Sequence, residues 1–267
     1  DFIHPLSDEP VKIKYERDGK EYETEIRPEY IERYIIGFSY SMTKDEVKKL
    51  RMNSPESLQF LNNATKFYNL MMMYRCAIRE IQTKLEVLDD EFSVENNRNP
   101  ISFIKTRIKK PNSIYDKLQK MGYEFTTENI QIYLNDVAGV RIVCAFIDDI
   151  YMISDLITQQ DDIKVIEIKD YIKNPKSNGY RSYHMIVEIP VFFAKGKTPM
   201  RVELQIRTNG MDFWATLEHQ LRYKKGIEEM LGYNEISEEL LHSARAIIEA
   251  DNEMQRIKDK IGMFHEI

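Results

Sequence analysis

A chain of 267 residues, 42% hydrophobic and 31% charged with a formal net charge of −6, can bury one large core or a main domain with a small appendage. The acidic balance argues against a dedicated nucleic-acid binder, although local basic clusters can still serve phosphates. No apolar run approaches the ~20 residues that span a bilayer, and no secretory leader pattern opens the chain, so a cytoplasmic protein without membrane contact is expected.

The sequence begins at Asp1 without a methionine, so the natural N-terminus is expected upstream. In residues 11–26, Val11, Ile13 and Tyr15 alternate with polar residues, Arg17-Asp18-Gly19-Lys20 follows, and Tyr22, Thr24 and Ile26 resume the alternation. Asp-Gly between two alternating runs predicts a β-hairpin. A mixed, helical stretch is expected to about Met52, with a break at Asn53-Ser54-Pro55. Residues 1–56 therefore read as a small add-on without a chemical motif, ahead of a main domain over 57–267.

From about Ser57 to Phe92 apolar residues recur at helical spacing, among them Phe67, Leu70, Tyr74, Ile78, Ile81 and Leu85. The Met71-Met72-Met73 run belongs to this stripe. The two cysteines, Cys76 and Cys144, sit among apolar neighbours and read as small buried thiols in a reducing cytosol, not as a disulfide or metal pair. Strands are expected at 103–109, 137–146, 163–168, 182–192 and 201–207, with helices at about 112–121 and 148–158. A second long amphipathic helix runs from Ile236 through Leu240, Ala244 and Ile247 to Ile261. The pattern predicts an α+β fold with one mixed sheet of about five strands, flanked by helices.

Three constellations can carry chemistry. In Phe103–Ser113, Phe103, Lys105, Arg107 and Lys109 share one strand face, and the chain then reaches Pro111 and Ser113, residues that open helices. Cations leading into a helix N-terminus suit a polyphosphate, although a solvated basic edge strand has the same sequence. In Asn135–Phe146 a central-strand sequence carries Asp136 at its entrance and Arg141 inside. Either the two neutralise each other, or Asp136 holds Mg²⁺ and Arg141 contacts a nucleotide. The third joins Lys176, Asn178, Gly179, Tyr180, Arg181, Tyr183 and His184 to the strand Arg201–Thr208, where Arg201, Glu203, Gln205 and Arg207 project one way and Val202, Leu204 and Ile206 the other. Tyr180 at a glycine turn suits stacking on a base, and Glu203 can share a metal with Asp136 or accept a hydroxyl proton. The three sets together point to a Mg²⁺-dependent nucleotide phosphotransferase, a chemistry that needs metal, cations and positioning from the protein.

SFIKTRIKKPNSIYDKL, NDVAGVRIVCAF, NPKSNGYRSYH, RVELQIRT and FWATLEHQLRYK, in this order and spacing over roughly residues 63–262, resemble the (p)ppGpp synthetase domain of the RelA/SpoT family. The likeness is greatest to its single-domain small alarmone synthetases of the RelQ type. The resemblance implies transfer of pyrophosphate from ATP to the 3′-hydroxyl of GDP or GTP with Mg²⁺ as cofactor. It implies that Arg107 and Arg141 sandwich the adenine of ATP and that Lys109, Ser113 and Lys117 hold its phosphates. Asp136 and Glu203 would bind Mg²⁺, with Glu203 also activating the 3′-hydroxyl. Tyr180 would stack on guanine, while Lys176, Arg181, His184, Gln205 and Arg207 would complete the acceptor site. The family's long synthetases also carry an HD hydrolase domain; no His-Asp dipeptide occurs here, so hydrolysis is not expected.

The resemblance further implies a homo-oligomer, a tetramer joined through terminal helices. RelQ-type activation by pppGpp uses Phe-x-Thr ahead of the adenine-binding arginine and an asparagine just before FWAT. Phe103 is kept here, but Lys105 and Asp212 stand at the other two positions, and a carboxylate beside a bound anion would repel it. Toxic relatives pyrophosphorylate the tRNA 3′ end or make adenosine alarmones, and residues 1–56 could be a regulatory element of such a system, under an antitoxin or RNA. The acidic balance favours a free guanosine nucleotide as acceptor.

Overall fold

The computed structural model describes residues 11–17, 20–26, 55–96, 98–223 and 233–265. The expected helix between the hairpin and Met52, the Asp18-Gly19 turn and the Asn53-Ser54 break lie outside the described residues. The chain divides into two compact units, Asp1–Met71 with Lys110–Tyr133, and Met72–Lys109 with Leu134–Ile267.

In the first unit, strands β1 (Val11–Arg17) and β2 (Lys20–Ile26) pair antiparallel, with Tyr15 opposite Tyr22, as the alternation predicts. Helix α1 (Pro55–Asn96) starts on the expected proline and passes into the second unit at Met72. Helices α2 (Pro111–Lys120) and α3 (Thr127–Tyr133) complete the first unit. Pro111 stands in the first turn of α2, where its fixed φ and missing N–H cost nothing. Ile114, Leu118 and Ile130 are fully buried, and Phe125 meets Phe67 and Tyr115 with ring centroids 5.4 and 5.8 Å away.

The second unit holds the five-stranded sheet. Its strands are β3 (Ile101–Ile108), β4 (Ala138–Cys144), β5 (Lys164–Asp170), β6 (Tyr183–Phe193) and β7 (Gly196–Thr208), in the order β3-β4-β7-β6-β5. All pairs are antiparallel except β4 with β7, so the sheet is mixed as expected. Strand β4 is buried on both faces, which its Val/Ile/Cys run requires. On one face Ile142, Leu204, Ile206, Met185 and Val187 form the core, with Ile150, Ile153 and Ile157 of α4 (Ile147–Thr158) also buried. Ser154 of α4 donates to the Met185 sulfur, 3.4 Å away, which ties that helix to the sheet.

Helices α5 (Asn209–Tyr223) and α6 (Tyr233–His265) follow β7. They pack through Trp214, Ala215 and Ala244, with Tyr180, Leu240 and Ile247 against them, and the Trp214 indole donates to the Leu240 carbonyl at 3.1 Å. Thr208 accepts the Met211 N–H at the start of α5 and donates to Asp251 of α6 at 2.7 Å. On α1, Met71 is core but Met72 is 37% exposed, so the methionine run only grazes the stripe. Both cysteines are free thiols; Cys144 is buried, whereas Cys76 is only half-buried, because its position on α1 lies at the edge of the apolar stripe. Among the described residues no helix is long and apolar enough to cross a membrane.

Gly179 has φ +87°, and a Cβ there would lie 2.5 Å from the Ala244 Cβ. Gly122, with φ +81°, has open space around it. Gly179→Ala is therefore expected to cost about 2–4 kcal/mol, left-handed strain plus overpacking, and Gly122→Ala about 1–2 kcal/mol from strain alone. Urea unfolding of the two variants checks the difference.

Candidate active site

Strand register builds the site in two rows across one face of the sheet. Lys105 of β3 pairs with Arg141 of β4, Arg141 with Gln205 of β7, and Gln205 with His184 of β6. Two residues along, Arg107 pairs with Gly139, Gly139 with Glu203, and Glu203 with Ile186. Because side chains alternate across a strand, these residues face the same way. Lys105, Arg107, Gly139, Arg141, Glu203 and Gln205 line one cavity.

Gly139 decides what that cavity can hold. A Cβ at 139 would lie 3.2 Å from both Cγ and Nε of Arg107, so the glycine lets the arginine lie close across β4, and a side chain there would push it away by a few tenths of an ångström. Arg107 is half-exposed, and its Nη2 reaches to 3.7 Å from Glu203 Oε2. Arg141 does not pair with Asp136: its Nη1 is 2.9 Å from Asp212 Oδ1, and Asp136 Oδ2 accepts from Lys109 Nζ at 2.8 Å. The mutual neutralisation that the sequence allowed is thus absent. Burial first, and then the nearby Arg207 charge, lower the Arg141 pKa, with Asp212 opposing them.

Glu203 is mostly buried and both its oxygens are held. Oε2 accepts from the Gln205 amide at 2.9 Å, and Oε1 lies 3.5 Å from His184 Nδ1. Burial raises the Glu203 pKa, but the hydrogen bond and charge of His184 outweigh it; Asp136 pushes it up again, Gln205 pulls it down, and the net shift is below the usual 4.5.

Beside Glu203, Tyr180 and His184 share a hydrogen bond of 2.9 Å, and Arg207 Nη2 donates to the Tyr180 hydroxyl at 2.6 Å and to Gln205 Oε1 at 2.8 Å. Arg207 is buried against Asp212, whose Oδ1 accepts from its Nη1 at 3.2 Å, and its Nε donates to Ser182. Lys176 Nζ lies 4.9 Å from the Tyr180 ring centroid and 4.7 Å from that of Tyr171. Tyr171 meets both Tyr180 and His184 edge-on.

The structure therefore brings together Arg107, Arg141, Lys176, Tyr180, His184, Glu203, Gln205 and Arg207, with Lys109 on Asp136. Two further expected site residues, Ser113 and Lys117, are on α2, which belongs to the other compact unit. Arg181 is not part of the cluster. It is buried facing Asp251 of α6, 3.9 Å away, because it projects opposite to Tyr180. Asp212 does not present an open charge to an anion either; Arg141, Arg207 and, at 3.9 Å, Lys105 surround it. Tyr171 and Ser182 carry no signal in the sequence, since their places beside Tyr180, His184 and Arg207 follow from the path of the β5–β6 connection.

Asp136 and Glu203 offer hard oxygen donors whose mutual repulsion a divalent cation would relieve. Among the described residues no three His, Cys, Asp or Glu side chains form a metal cage. Two carboxylates are nevertheless what Mg²⁺ takes from a protein when substrate phosphates supply the remaining oxygens. The donor set fits.

Residues 106–228 match a family described as the region found in RelA/SpoT proteins. Two Bacillus subtilis (strain 168) proteins, GTP pyrophosphokinases YwaC and YjbM, are 37% and 34% identical over 193 and 196 residues; each match covers 72% of this chain, with 90% and 88% of those proteins. The crystal structure of small alarmone synthetase 1 from Bacillus subtilis bound to its product pppGpp aligns with TM-score 0.66 and 32% identity, over 73% of this chain and 97% of that one. Small alarmone synthetase 2 from the same organism aligns with TM-score 0.65 and 36% identity, over 73% and 98%.

A carboxyl with its folded pKa below 4.5 contributes stability that is present above about pH 4.5 and is lost as pH falls through the folded value. The stability gap between wild type and Glu203→Gln is therefore expected to narrow from pH 6 to pH 3.5. Urea midpoints across that range check it; a constant gap would contradict the assigned electrostatics.

Proposed function

The chain belongs to the RelA/SpoT family, and from that premise we propose that it transfers a pyrophosphoryl group from ATP to the 3′-hydroxyl of GDP or GTP, yielding ppGpp or pppGpp and AMP. The observation that carries this reading is Glu203, held by Gln205 and His184 between an arginine-lined cavity on one side and the Tyr180 ring on the other. Two nucleotides need two such flanks, with a base where they meet.

Arg107 and Arg141 present planar guanidiniums to the adenine of ATP. Lys109 meets its phosphates, with Ser113 and Lys117 assigned to them by family resemblance. Tyr180 stacks on guanine, its hydroxyl anchored by Arg207 and His184. Lys176 stands over that ring and Gln205 and Arg207 border it. In the reaction the 3′-oxygen attacks the β-phosphorus of ATP, the bond from that phosphorus to the α–β bridging oxygen breaks, and AMP leaves. Glu203 takes the hydroxyl proton; its carboxyl, lowered below 4.5, is ionised at neutral pH. Asp136 and Glu203 would hold Mg²⁺, which supplies positive charge against the charge developing on the transferring phosphates. The same reading places the protein in the cytoplasm and makes it a homo-oligomer, expected to be a tetramer. The exposed apolar residues Met254, Ile257 and Ile261, at helical spacing on α6, support assembly through the terminal helices.

One assay decides among acceptors. With γ-labelled ATP and Mg²⁺, label is expected in GDP or GTP when GDP, GTP, ATP and tRNA are offered in parallel; transfer into tRNA or ATP alone would replace this reading with that of the toxic relatives. Glu203→Gln is expected to lower turnover by about 10²–10⁴-fold with an unchanged circular-dichroism spectrum, and an unaffected rate would remove Glu203 from the role of base.

A further inference from the structure

Resting on the two-nucleotide reading above, we propose that Asp212 is a positioning residue shared by the donor and acceptor subsites. One oxygen, Oδ1, lies 2.9 Å from Arg141 Nη1 and accepts from Arg207 Nη1 at 3.2 Å. Arg141 lines the donor cavity, and Arg207 reaches beneath Tyr180, its Cζ 5.2 Å from the ring centroid. The two guanidiniums repel each other, which contributes to the lowered Arg141 pKa. The carboxylate between them is the group that both share: Arg207 is also held by Ser182, Tyr180 and Gln205, and among the described residues the ion pair of Arg141 is to Asp212.

Asp212 is itself nearly inaccessible, at 5% exposure, in the first turn of α5, where the helix N-terminus favours its charge. Lys105 faces its second oxygen from 3.9 Å, but that side chain is largely exposed and too distant for a hydrogen bond. Among the described residues the carboxylate therefore has no competing strong partner. From Arg207 the restraint continues to Glu203 along two paths. One runs through Gln205, the other through the Tyr180 hydroxyl and His184. Asp212 touches neither nucleotide in this arrangement; it acts through the arginines that do.

The test is steady-state kinetics and calorimetric binding with Asp212→Asn, which keeps the shape and one acceptor oxygen but removes the charge. The full chain is assayed with ATP, Mg²⁺ and GDP, and binding is measured for GDP and for a non-hydrolysable ATP analogue separately. KM and Kd for both nucleotides are expected to rise about tenfold, the loss of a charge-assisted contact, with kcat within about threefold. A rise for only one nucleotide, or a fall in kcat with both KM values unchanged, would overturn the proposal.

If the single variant does not fold, Asp212→Asn combined with Arg207→Gln removes the buried charges as a pair. Arg207 also holds Gln205 of the donor cavity, so the double variant is compared with Arg207→Gln alone, and the difference in affinity for the ATP analogue reads the Arg141 arm: a further loss of about tenfold supports the proposal and no further change overturns it. Wild-type protein that binds both nucleotides but transfers nothing would count against the assigned reaction, while the binding data would still decide the role of Asp212.

Discussion

The polar face of this sheet depends on one carboxylate oxygen that serves two guanidiniums. Arg207 is almost wholly buried and Arg141 largely so, and a buried cation without a partner costs several kcal/mol. Asp212 pairs with both, and it can do so because α5 begins directly after β7, which brings its first turn to the end of the sheet. Thr208 fixes that turn by accepting the Met211 N–H and by holding Asp251 of α6. The long C-terminal helix and the polar site thus share one joint.

The second constraint is the register of β4 against β7. Parallel pairing of Gly139 with Glu203 and of Arg141 with Gln205 aligns the arginines of one side with the carboxylate and amide of the other. A slip of one residue would turn each of these side chains to the apolar face. Gly139 then opens the space that lets Arg107 lie down toward Glu203. Lys109, just past the end of β3, turns to Asp136, just before β4, and closes the same edge. Each cation of the face has a carboxylate or an aromatic ring near it, which is how so many charges stay close together without substrate.

Much of this was readable in the chain. Strict alternation in Arg201–Thr208 placed Glu203, Gln205 and Arg207 on one side, because strand geometry leaves no other choice. The apolar run of β4 announced a central strand, and Asp-Gly announced the hairpin at the N-terminus. Partnerships were less legible. Asp136 and Arg141 are five residues apart and of opposite sign, so pairing them was natural, but each found a partner on a different element. Arg181 sits inside a motif rich in binding residues and yet turns to Asp251, since the direction of a side chain next to a turn depends on local φ and ψ and not on the motif. Asp212 read as a stray negative charge near an anion, and the fold encloses it among cations. Tyr171 carried no signal at all, because its contacts with Tyr180 and His184 bridge a loop and a strand.

By itself the sequence determined the order of the strands and of the long helices, the mixed sheet, the family and most of the polar residues on its open face, while helices α3 and α5 came only with the structure. What it determined follows from periodicity, turn chemistry and motif order, which are local properties of the chain. Only the tertiary structure decided which charge compensates which. In the site that choice depends on distances of a few ångströms between residues about seventy positions apart, as for Arg141 with Asp212 and Arg181 with Asp251, and on α5 and α6 packing at the end of the sheet. A cation pairs with the carboxylate that the packing brings within reach, not with the nearest one in sequence.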